Sequence, residues 1–168
     1  MINKNTLIAV YESVLITLLN ERKSALHFYI NQNAFSHMSL SVEFWHYDIN
    51  WQIHSHPETH FSPHHHFLAA PFITLSDFEE DHSHVYELRD IMESWEKLEQ
   101  DGDGTLEDML CLLSHEALAE ALNKNTVKSL LLTLFSENPA LQTKSLHELV
   151  IVKDPDGRFD KNFMNVAA

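Results

Sequence analysis

Glycine occurs only three times in 168 residues, at Gly102, Gly104 and Gly157, and this scarcity removes whole classes of fold and chemistry. A phosphate-cradling loop needs glycines where backbone must approach the anion, and a Gly-x-Ser-x-Gly elbow needs two around one serine. Neither can be built here. With only five prolines as further punctuation, long flexible linkers are not expected. A chain of this length matches one ordinary domain and buries roughly 70% of its extended surface on folding. Residues 1–168 are therefore read as a single domain, with 44% hydrophobic residues to fill its core.

Hydrophobic periodicity assigns the elements. Leu7, Tyr11, Val14, Leu15, Leu18 and Leu19 recur at helical spacing behind Thr6 as N-cap. Leu26, Phe28 and Ile30 alternate with His27, Tyr29 and Asn31, which predicts a strand. Met38, Leu40, Val42 and Phe44 predict a second strand. The alternation then changes phase and continues as Trp45, Tyr47, Ile49, Trp51 and Ile53. A slip of one residue swaps faces, so a turn around Tyr47–Asn50 into a third strand is expected. Phe67–Ile73 adds a short strand limited by Pro71.

In the second half, Ser76 and Glu79 form a capping box. The helix it opens turns Phe78, Val85, Leu88, Met92 and Trp95 to the core and stops at Asp101-Gly102-Asp103-Gly104. Thr105 and Asp108 open another helix, with Met109, Leu112, Leu113, Leu118 and Leu122 apolar. Asn125-Thr126 starts a third, ended by Asn138-Pro139, and Leu149–Val152 reads as a last strand. The expected architecture is α+β: a small antiparallel sheet of three to five strands packed with about four helices.

The net charge of −14 is unevenly spread. Thirteen acids between Asp77 and Asp108 face only Arg89 and Lys97, so this stretch holds −11 of the total. Such acidity repels nucleic acid and anionic membrane, which recruit cationic side chains, and it steers basic partners inward. Asp77, Glu80, Asp81, Glu87, Asp90, Glu93 and Glu96 are the candidate partner-binding residues. Among them Asp90 and Glu93, with Lys97, share a helix face away from the Val85-Leu88-Met92-Trp95 stripe. A solvated helix face that only confers solubility is the plainer reading of the same residues.

Histidine is the second concentration. Six of thirteen histidines fall between His54 and His66. A His-x-His on a strand puts His54 and His56 on one face, and imidazole suits zinc. His54, His56, His60 and His64 are therefore candidate zinc ligands, with Glu58 able to complete a site. Pro57 and Pro63 work against it by spreading the side chains. A polar, partly exposed loop that becomes cationic near pH 6 is the alternative. The metal reading makes the chain a metal-binding protein or a metal-dependent enzyme.

Other enzyme-like patterns fail on chemistry. His115-Glu116 and His147-Glu148 begin like the zinc-protease His-Glu-x-x-His but lack its second histidine. Asp101-Gly102-Asp103-Gly104 resembles the middle of a calcium loop, yet the twelfth position, where a bidentate glutamate belongs, is Leu110. The single cysteine, Cys111, sits among Leu110, Leu112 and Leu113, which is more often core than nucleophile.

One cysteine precludes an intramolecular disulfide, and the interrupted apolar stretch at the N-terminus offers neither a cleavable signal nor a bilayer span. A cytoplasmic location is expected. Small size, clustered acidity and the α+β layout together resemble a bacterial toxin-immunity, or antitoxin-like, protein. The resemblance covers the whole chain in composition and architecture and involves no family motif. It implies an inhibitor of a cognate, basic, nuclease-type toxin, with no catalytic residues and no cofactor of its own. A nucleic-acid-mimicking inhibitor of a DNA-binding protein would use the same acidic segment.

Overall fold

The computed structural model describes residues 3–31, 35–43, 48–55, 72–73, 82–99 and 105–165. The chain opens with α1 (Lys4–Glu21), capped by Asn3, whose side chain accepts from the Asn5 amide. Asparagine is among the best N-caps, so the helix starts ahead of Thr6. The first-helix apolar stripe is buried as expected, and Ile8 and Val10 widen it.

After Arg22 the chain continues as α2 (Lys23–Ile30), where a strand was expected. The reason is geometric. Positions four apart lie on one side of a strand and also on one side of a helix, so Leu26 and Ile30 fit either. Phe28 alone discriminates, and it is 52% exposed while Leu26 and Ile30 are buried.

The hairpin forms largely as its periodicity predicts. β1 (Phe35–Glu43) and β2 (Asp48–Ser55) pair antiparallel, Leu40 opposite Trp51 and Val42 opposite Ile49. The register Glu43↔Asp48 leaves residues 44–47 between the strands, so Asp48–Asn50 are strand rather than turn. An even-length connection makes even-numbered β1 residues face odd-numbered β2 residues, which is the phase change seen in the sequence. Met38, Leu40, Val42, Ile49, Trp51 and Ile53 line the buried face. The opposite face of the hairpin is polar, running His37, Ser39, Ser41, Glu43 against His54, Gln52, Asn50, Asp48, and Ser39, Ser41 and Asp48 on it are buried as well. β3 (Phe72–Ile73) adds to β2 antiparallel; residues 67–71 of the expected strand lie outside the described residues.

Four helices follow: α3 (Ser83–Glu99), α4 (Thr105–Leu122), α5 (Asn125–Ser136) and the short α6 (Leu146–Leu149). α3 buries Val85, Leu88, Met92 and Trp95 as expected; the Ser76/Glu79 capping box and Phe78 lie outside the described residues. On α4 the apolar residues named from the sequence divide: Leu118 and Leu122 are buried and Leu112 and Leu113 pack partly buried against the core. Met109 is 55% exposed, while Leu110, Ser114, His115, Ala117, Leu118 and Ala121 are buried. The small residues at 117, 119 and 121 let α4 approach its neighbours closely, a contribution that a search for large apolar side chains overlooks.

β4 (Val150–Val152) corrects the expected sheet. It joins β1 parallel, Met38 opposite Val150 and Leu40 opposite Val152, giving a mixed sheet in the order β3-β2-β1-β4. Parallel pairing needs a long crossover, and the helical run between β3 and β4 supplies it. The α+β class with a small sheet holds, with six α-helices among the described residues.

The outer edge of β4 is closed by its own chain. The Val150 amide bonds back to the Leu146 carbonyl, and the Val152 amide donates to Asn162 Oδ1 at 3.0 Å, which also accepts from the Met164 amide at 3.0 Å. Closing these donors denies the edge to another strand. Replacing Asn162 with alanine strands two amides, each costing roughly 1–3 kcal/mol if left unpaired. Urea unfolding of Asn162→Ala should show about 2 kcal/mol lost, the low end of that range summed over two partly wetted amides. An unchanged midpoint would mean that water serves this edge as well as Asn162 does.

Candidate functional site

The acidic face of α3 is the first candidate. Its inner stripe is anchored in the core, which fixes the orientation of the outer one. Glu87, Asp90 and Glu93 are exposed on the outer face, and Glu96 belongs to the same helix. Asp77, Glu80 and Asp81 lie outside the described residues. Tyr86 stands one turn before Asp90, 46% exposed, so Tyr86, Asp90, Glu93 and Lys97 form one row at spacings of four, three and four. Lys97 Nζ reaches Glu93 Oε1 at 2.8 Å across the last turn. The row is thus aromatic and acidic at its N-terminal end and charge-paired at its C-terminal end.

The start of α3 is fastened to α1 by two histidines. His82 pairs with Glu21, and His84 Nε2 lies 2.7 Å from Thr17 Oγ1. Burial, and then the neighbouring His82, hold the His84 imidazole below its ordinary range. These contacts position Tyr86 and Glu87 one turn further along.

Of the candidate zinc ligands, only His54 lies in the described residues; His56, His60 and His64 fall outside them. His54 is engaged with β1. Its Nε2 lies 2.7 Å from Ser39 Oγ, and its ring stacks on His37 with centroids 4.3 Å apart and an 8° tilt. Strand register therefore gives His54 a cross-strand partner, His37, that the His-x-His pattern did not suggest. Among the described residues no three His, Cys, Asp or Glu side chains are grouped to hold a metal ion.

The second candidate is a cysteine–histidine–aspartate cluster between α4, β1 and the turn after β4. Cys111 Sγ lies 3.6 Å from His115 Nδ1 and 3.9 Å from Asp154 Oδ1. Its composition suggests a nucleophile with its base, but the hydrogen bonds assign other work. The Val42 amide can only donate, so His115 Nε2, 3.2 Å away, accepts. The Cys111 carbonyl can only accept, so Nδ1, 2.9 Å away, donates. Both ring nitrogens are committed to backbone, and the imidazole is a neutral tie between α4 and β1.

The rest of the cluster is equally committed. Asp154 accepts the amides of Asp156 (3.2 Å), Arg158 (2.6 Å) and Phe159 (3.2 Å), which organises the turn. Gly157 takes φ 70° in that turn, a conformation glycine adopts without strain. Burial, reinforced by the Asp154 carboxylate, pushes the Cys111 thiol up to about 12, so it carries no thiolate at neutral pH.

The near-miss motifs resolve similarly. Glu116, beside His115, pairs with Lys4 at 3.1 Å. Glu148 closes a capping box with Ser145 at the start of α6, a signal also present in the sequence as Ser145-x-x-Glu148. Leu110, at the twelfth position of the calcium-like loop, is buried in the core. Tyr86 is the residue that pattern reading missed. Its helical spacing to Asp90 and Glu93 was the available signal.

No protein family, curated protein or solved structure matches this chain.

A thiol that is 6% exposed and fully protonated should resist modification. A pyridyl disulfide at neutral pH should label Cys111 in the native protein at least about a hundredfold more slowly than in the urea-unfolded chain. Comparable rates would restore Cys111 as a reactive group.

Proposed function

We propose that this chain is an acidic protein-binding inhibitor that neutralises a basic, nuclease-type toxin in the manner of a bacterial immunity protein. The observation that carries the reading is the outer face of α3, where exposed Tyr86 adjoins exposed Glu87, Asp90 and Glu93 on a helix whose other side is locked in the core. Charge supplies encounter rate and orientation more than residence time. A lasting complex also needs a rigid anchor that sheds water on contact, and an exposed tyrosine suits that task. Like-charge neighbours at helical spacing cost the free protein a few tenths of a kcal/mol per pair, a cost that a cationic partner reverses.

A nuclease active site is basic because it must bind a polyanion. A row of carboxylates beside an aromatic ring presents a comparable combination of negative charge and stacking surface. On this reading the acceptor row occupies the toxin's substrate groove, and the protein acts in the cytoplasm of the cell it protects. No helix among the described residues is long and apolar enough to cross a membrane.

Two variants separate steering from anchoring. In chelator-treated lysate of the source organism, the native chain should retain one basic protein at near-equal stoichiometry. Against that purified protein, Glu87→Lys/Asp90→Lys/Glu93→Lys should lower the association rate by about 10–100-fold at low salt and flatten its salt dependence. Tyr86→Ala should instead raise the dissociation rate, a loss of about 1–2 kcal/mol. Undiminished binding by both variants would remove α3 from the interface.

A further inference from the structure

His115 is completely buried. On α4 it follows Ser114, whose hydroxyl lies 2.5 Å from Tyr11 Oη on α1. These two adjacent side chains bind α4 to both layers, Ser114 to the helical side and His115 to β1. The His115 bond to β1 has an unusual dependence on protonation. Val42 presents an N–H to an imidazole nitrogen that must have a free lone pair. A proton on Nε2 would set two donors against each other at a fully buried side chain.

We propose that His115 is an acid-sensitive fastener: a proton on Nε2 breaks its bond to Val42, parts β1 from α4 and opens the fold around Cys111.

The surroundings determine how firmly the fastener stays shut. β1 offers only the Val42 amide. The carbonyls of Cys111 and Lys153 and the carboxylates of Asp154 and Asp156 favour a proton on the ring. Phe163 stacks on the imidazole at 5.2 Å, and Lys161 sits 4.4 Å above that phenyl ring. Arg158, paired with Glu107, faces the cysteine side of the cluster. Burial outweighs the favourable groups, so the folded ring resists protonation.

The sign follows from linkage. The unfolded chain accepts the proton near the ordinary imidazole value of about 6.5, whereas the folded chain accepts it only at lower pH. Stability is therefore complete above that range and declines as pH falls through it. The decline is up to about tenfold in the opening equilibrium per pH unit for the single proton.

Cys111 reports this opening directly, because it is the only cysteine and bonds to the same histidine. The probe is 4,4′-dithiodipyridine, which reacts in acid, with rates normalised to the unfolded chain at each pH. Protection of Cys111 should be constant above pH 7 and should fall between about pH 6.5 and 5. In His115→Gln the fall should be shallower by about one proton, or up to about tenfold per pH unit. A native protein with equal protection at pH 7 and pH 5, or a variant with the same slope, would overturn the proposal. Should His115→Gln fail to fold, NMR of the native chain decides instead. The His115 ring must stay neutral below pH 6 and protonate only together with loss of the Val42 amide's protection. A ring that titrates at or above about 6.5 with the Val42 amide undisturbed would refute it.

Discussion

Helix α1 is buried along most of its length, and the other elements are arranged to keep it so. Leu7, Tyr11, Leu15 and Leu18 have no exposed surface, and α2, α3, α4 and α5 all pack against this one helix. A helix apolar on more than one side cannot remain at a surface, so it draws a layer of helices around itself. The sheet joins the same core through Met38, Leu40, Val42, Ile49, Trp51 and Ile53, with α4 and α6 packed against β1. Burial of this kind is non-directional and does not by itself select one arrangement of the layers.

Direction comes from a few polar ties placed where the layers meet. Ser114 and His115 are consecutive on α4, yet they bond to Tyr11 on α1 and to the backbone of β1. A buried donor or acceptor without its partner costs more than a formed bond gains, so these ties penalise wrong registers more than they reward the right one. The histidines repeat the theme at other seams. His27 joins α2 to Glu137 beyond α5, His82 and His84 join α3 to α1, and His54 stacks across β1 and β2 on His37. In the described residues histidine is thus a joint between elements more than a ligand waiting for an ion. The outer face of α3, by contrast, carries Glu87 and Asp90 exposed beside the Glu93–Lys97 pair.

Legibility in the sequence followed how far each signal depended on neighbours. The inward faces of the hairpin strands and the inner stripe of α3 were readable because alternation and helical spacing report a face directly. The turn expected around Tyr47–Asn50 nonetheless missed the register Glu43↔Asp48. The strand assigned to Leu26–Ile30 failed because those two positions satisfy both periods, and only the exposure of Phe28 separates them. On α4 the list of apolar residues included Met109, which is exposed, and passed over the small residues Ala117 and Ala121, which are buried beside Leu118 and Leu122. In the candidate site, the acidity of Glu87, Asp90 and Glu93 was plain, but Tyr86 looked like any helix aromatic until its exposure was known.

The sequence by itself determined the class of fold, the acidic character of α3 and the exclusion of glycine-built chemistry. These follow from composition and from patterns local to one element. Only the tertiary structure decided that β4 enters parallel to β1, that His54 partners His37, and that Cys111 meets both His115 and Asp154. Each of those facts joins segments far apart in the chain, as Asp154 lies 43 residues from Cys111 and Val42 lies 73 from His115. Local periodicity carries no information about such distances. They are set by which buried polar groups find partners once the apolar faces have closed.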